Sequence, residues 1–197
     1  MYNAVQEMAQ RVAKRYGKAL SHFRPCKPGS ELLEQNLITL LSHEFLAMYS
    51  EDERCMAFSE IPFKSAANPN NWCNRLDGFL ANSDVAYLVE AKSSKHKDYL
   101  IADIKADLDR IKSDVLKDSF AEMASTGGRA YKLPPSVRGL VIADFWCLSD
   151  KLPWFNESEF EASLLPEHKV KALVEKIGTF GRYNYFLLVA QTDTLDW

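Results

Sequence analysis

The stretch that decides the fold is Cys73-Asn74-Arg75-Leu76-Asp77-Gly78-Phe79-Leu80-Ala81-Asn82-Ser83-Asp84-Val85-Ala86-Tyr87-Leu88-Val89-Glu90-Ala91-Lys92. Strand candidates span about 73–81 and 85–92. The link between them, Asn82-Ser83-Asp84, is short enough to make them a hairpin. Successive side chains of a strand point to opposite faces, so Ala86, Leu88, Glu90 and Lys92 share one face. Two opposite charges therefore end an otherwise apolar row. Burying either alone is costly, and a cation or phosphate nearby satisfies both. Asp77 lies inside the first strand, where aspartate is disfavoured. The turn folds it toward Glu90. A divalent cation is one reason for such an aspartate, because magnesium takes one or two carboxylates and completes its shell with water and substrate phosphate.

Upstream, residues 1–20 read as a helix with Val5, Met8, Val12, Tyr16 and Leu20 at helical spacing. Pro25, Pro28 and Gly29 end that segment. A second helix starts after Ser30, a good N-cap residue, and runs to about Tyr49. Its apolar residues, including Leu37, Ile38, Leu41 and Phe45, cover most of the circumference, which predicts a buried helix. A first strand falls at about 54–63, before the Asn- and Pro-containing loop that leads to the hairpin.

Downstream, Ile101, Ile104, Leu108, Ile111 and Val115 predict one long helix over about 98–120. The segment 137–146 is a continuous apolar strand of the kind buried on both faces. A last helix is expected from near Pro166, with Val170, Leu173, Val174 and Ile177 as its stripe. Residues 183–191 form a final buried strand. An opening meander followed by β-α-β crossovers implies an α/β fold with a mixed central sheet flanked by helices.

The chain has 197 residues, 47% apolar and 26% charged, which fits a single domain over 1–197 with a sizeable core. No apolar run approaches the roughly 18 residues needed to span a bilayer. The first residues are amphipathic without a signal-peptide core, so a cytoplasmic protein with no membrane partner is expected. Cys26, Cys55, Cys73 and Cys147 match no common zinc or iron–sulfur spacing and are expected as reduced thiols. His22, His43, His96 and His168 show no metal pairing, and Gly127-Gly128 carries no P-loop lysine pattern.

Asp77, twelve residues, then Glu90-Ala91-Lys92 resembles the signature of the PD-(D/E)XK nuclease superfamily. The expected order of elements is similar to that family's α-β-β-β-α-β core over about 30–146, followed by an α-β extension to 191. The resemblance implies a restriction-endonuclease-like fold and Mg²⁺-dependent hydrolysis of DNA phosphodiesters, with Mn²⁺ able to substitute. It makes Asp77 and Glu90 metal ligands, with the Ala91 carbonyl as a third. It makes Lys92 the group that orients or activates water and steadies negative charge. The family often adds a glutamate from the first core helix. Glu34 is the choice here because it shares a stripe with Ile38, Leu41 and Phe45, with Glu31, Glu44 and Glu60 as rivals. Leu76 replaces the signature proline. No glutamine lies between Asn36 and Ala190, so the downstream Gln-x-x-x-Tyr box of one branch of the family is missing.

The net charge of −3 does not advertise a nucleic-acid binder, but its distribution is uneven. Residues 1–29, the N-terminal helical extension, carry six cations against Glu7, a balance of +5. Local potential matters more than the total when a polyanion approaches. Arg11, Lys14, Arg15 and Lys18 can share one helical face. With Lys95 and Lys97 beyond the Glu90–Lys92 strand, they are the expected DNA surface. A catalytically silent nuclease-fold module that binds DNA or protein is the competing expectation, and a homodimer or protein partner stays open.

Overall fold

The computed structural model describes residues 2–22, 34–65, 70–94, 96–125, 132–148, 156–165 and 167–197. The expected helix starts at Ser30 and Pro166, the rival Glu31, Cys26 and Lys95 lie outside these residues, as does the Lys97 side chain. Two helices open the chain, α1 (Tyr2–His22) and α2 (Glu34–Met48). A meander of β1 (Met56–Phe63), β2 (Asn74–Ala81) and β3 (Val85–Ser94) follows. Then come α3 (Lys97–Ile111), α4 (Asp114–Ser125), β4 (Ser136–Leu148), α5 (Glu157–Leu164), β5 (Val170–Phe180) and β6 (Tyr183–Thr194).

The six strands form one mixed sheet in the order β1-β2-β3-β4-β6-β5. Only β3 and β4 run parallel; the other neighbours are antiparallel. Helices cover both faces. Val85, Tyr87, Val89 and Ala91 of β3 pack with Val12 and Tyr16 of α1 and Leu37, Leu41 and Phe45 of α2. Ala86 and Leu88 pack with Leu100, Ile104 and Leu108 of α3, Phe120 of α4 and Phe160 of α5. A strand buried from Val85 to Ala91 is what a central position between two helical layers demands.

The hairpin forms as expected. Asn82 Oδ1 accepts hydrogen bonds from the backbone N–H groups of Asp84 and Val85, both at 2.9 Å. This asparagine turn closes the pair Ala81↔Ala86 and sets the register of everything beyond it.

Three expectations are corrected. The helix expected over 98–120 is two helices. Ser113 breaks it by donating its hydroxyl to the Arg110 carbonyl at 2.7 Å and accepting from the Leu116 N–H at 3.3 Å. The new helix takes Leu116, not Val115, into the core. The last helix expected from near Pro166 is instead β5, so the C-terminal extension is α-β-β. Gly181-Arg182 is a two-residue turn that pairs Phe180 with Tyr183, and Gly181 has φ 61, open to a residue without Cβ. Val170, Val174, Ile177 and Thr179 are β-branched, so the hairpin overrides the helical spacing of the apolar residues. Finally, α2 is buried along one face only: Gln35, Asn36, Thr39 and Leu46 are exposed.

Candidate functional site

The β2–β3 ladder ends at Gly78↔Val89. One step further Asp77 stands level with Glu90, and the strands no longer pair through their backbones. The Asp77 side chain fills the gap: its Oδ2 accepts the Ala91 N–H at 2.8 Å. A mid-strand aspartate is tolerated because its carboxylate replaces a ladder carbonyl. It also lies within hydrogen-bonding reach of the Glu90 carboxyl group.

Glu90 is 1% exposed. Burial, and then the neighbouring Asp77, push its pKa up to about 9, against the opposing pull of Arg110. Arg110 Nη2 lies 2.9 Å from Glu90 Oε2, while Oε1 is buried without a hydrogen-bond partner.

Lys92 continues the Ala86–Leu88–Glu90 row and meets α3. Its Nζ lies 3.0 Å from Asp107 Oδ2. Burial disfavours the ammonium, but Asp107, Glu34 and Glu90 outweigh it and hold the lysine above its usual pKa. Asp107 is 3% exposed, and burial raises its pKa despite Lys92 and Arg110 beside it. It also accepts a hydrogen bond from Arg110 through Oδ1. From the opposite layer, Glu34 at the start of α2 accepts the Ser93 N–H at 3.1 Å. Burial raises the Glu34 pKa, and Lys92 and that N–H oppose the shift.

Asp77, Glu90, Lys92 and Glu34 thus meet at one end of β2 and β3. Of the rivals, Glu44 and Glu60 do not join them. Glu44 is buried against α1, in ion pairs with Arg15 and, at 4.0 Å, Arg11. Glu60 is exposed on the edge strand, level with Asp77, with φ 57 interrupting the ladder between Ser59↔Gly78 and Ile61↔Leu76. Arg11 also pairs with Glu7 at 2.6 Å. The α1 surface therefore carries less uncompensated charge than its sequence suggests, with Lys14 and Lys18 exposed.

Asp107 and Arg110 are the residues sequence reading missed. One signal was present: Asp107 sits one turn from both Ile104 and Ile111, beside the apolar stripe of α3, where a charge needs a partner. A second buried contact ties α1 to this end of the sheet. Tyr16 donates its hydroxyl to Asp144 Oδ2 at 2.6 Å, and Asp144 is the register neighbour of Ser93. Burial and Asp144 push the Tyr16 pKa far up.

Among the described residues no group of three or more His, Cys, Asp or Glu side chains is arranged to hold a metal ion. No helix among them is long and apolar enough to cross a membrane. No protein-family model matches the chain, and no curated protein or solved structure matches it.

Proposed function

We propose that the protein is a cytoplasmic Mg²⁺-dependent deoxyribonuclease of restriction-endonuclease-like fold, hydrolysing DNA phosphodiesters at Asp77, Glu90 and Lys92. The observation that carries this reading is the meeting of those three side chains and Glu34 where β2 and β3 part. The succession α2-β1-β2-β3-α3-β4, with α4 interposed, supports it.

The residues present fit a cation held by two carboxylates. Glu90 Oε1 is buried and unpartnered, and Asp77 beside it is a like charge that a cation would relieve. Ala91 would add its carbonyl, and Mn²⁺ would substitute for Mg²⁺. When bound, the metal supplies Lewis-acid stabilisation of the phosphate and a water of lowered pKa. Lys92 is held charged by its acidic neighbours, so it serves as a cation rather than as a base. It orients the attacking water and steadies the charge that grows on the phosphoryl oxygens. Glu34 adds negative charge near that ammonium from the α2 side.

The test is nicking of supercoiled plasmid by purified protein with Mg²⁺, with EDTA, and with Lys92→Ala. Cleavage that needs the metal and the lysine is the expected result; equal cleavage by Lys92→Ala would overturn the assignment. A second reading is a silent DNA- or protein-binding module. It is favoured by the ion pairs Lys92–Asp107 and Glu90–Arg110, which engage two of the site's charged groups, Lys92 and Glu90. DNA binding without metal-dependent cleavage would establish it.

A further inference from the structure

A buried carboxyl group, Glu90, beside a half-buried one, Asp77, needs a positive charge. Arg110 of α3 supplies one. Arg110 Nη2 approaches Glu90 Oε2 at 2.9 Å and bonds Asp107 through the same nitrogen. The guanidinium Nε makes no hydrogen bond. Arginine binds carboxylates strongly when both prongs of its fork are used. Here both contacts run through one nitrogen, and the side chain is 37% exposed. The hold is a point contact by a group that can turn out into water. α3 itself is anchored by Ile104, Leu108 and Ile111, so its release requires only side-chain rotation. Glu90, at 1% exposure, has nowhere to go, and its Oε1 still has no partner.

We propose that Arg110 is an exchangeable counter-ion of Glu90, which a divalent cation displaces when it binds the Asp77–Glu90 pair. This rests on the metal-dependent reading above. The cation brings twice the charge of the guanidinium to the same carboxylate, so the two compete for it. Asp107 keeps its contact with Lys92 after the exchange, so the lysine stays in position. Arg110 thus sets how tightly the site takes metal.

The experiment is calorimetric titration of Mg²⁺ and Ca²⁺, without DNA, into wild type, Arg110→Gln and Glu90→Gln at one pH and low ionic strength. The expected result is binding tighter by about tenfold or more in Arg110→Gln, and loss of binding in Glu90→Gln. Unchanged or weaker binding in Arg110→Gln, with Glu90→Gln still losing it, overturns the exchange and leaves the metal site standing. No binding by either wild type or Arg110→Gln overturns both. If Arg110→Gln does not fold, the wild-type protein gives the answer. The Arg110 Nε–H resonance should move on saturation with Mg²⁺, and a resonance that stays fixed while Glu90-dependent binding saturates overturns the proposal.

Discussion

The Asp77 carboxylate accepts the backbone N–H of Ala91 at 2.8 Å, one residue past Glu90 on the neighbouring strand. One contact thereby anchors Asp77, ends the ladder and brings a second carboxyl group alongside Glu90. An asparagine oxygen can accept the same N–H, so Asp77→Asn keeps the anchor and removes the charge. Mg²⁺ should raise the melting temperature of wild type, because it relieves the like-charge contact and binds only the folded chain. In Asp77→Asn that rise should vanish. Differential scanning fluorimetry over a Mg²⁺ series checks this; an equal shift in both proteins would remove Asp77 from the metal site.

Lys92→Ala should lower the cleavage rate by about two to four orders of magnitude, the usual loss when one member of a cooperating charged site is removed. The fold should survive, because Arg110 still partners Asp107. Circular dichroism and single-turnover cleavage on the same preparation separate the two effects.

The stability of the metal-free protein should depend on pH in a direction set by Glu90. Its pKa is raised from 4.5 to about 9 in the folded chain, so the folded state binds the extra proton between those values. Stability is then greatest below about 4.5 as far as this group is concerned, and falls as pH rises toward 9. Glu90→Gln should flatten that fall. Urea midpoints measured from pH 5 to 9 in EDTA provide the test, and equal slopes in the two proteins would show that Glu90 does not titrate this way.

Tyr16→Phe removes the donor to the buried Asp144 carboxylate and should cost about 1–3 kcal/mol of stability. A urea midpoint unchanged within error would mean that the hydroxyl is dispensable to the α1 contact.

The basic face of α1 should be tested with Lys14→Ala/Lys18→Ala and not through Arg15, which neutralises buried Glu44. If both lysines reach phosphates, the double variant should weaken DNA binding and lower the log–log salt slope by about two, one for each contact. An unchanged slope would remove α1 from the DNA surface.

The sequence by itself determined the row Ala86, Leu88, Glu90, Lys92, because strand alternation needs no tertiary context. It determined the hairpin through Asn82, whose side chain closes the turn locally. The Val5–Leu20 stripe of α1 and the inward position of Glu34 were equally legible, both being matters of helical period. Two things were decided elsewhere. Val170–Phe180 has apolar residues at helical spacing, yet it is a strand because the Gly181-Arg182 turn lays it along β6, where pairing outweighs periodicity. Asp107 and Arg110 lie far from Glu90 and Lys92 in sequence. Their roles arose only when α3 packed over β3 and buried charge had to meet buried charge, since no local pattern says which opposite charge a folded chain will bring to a carboxylate.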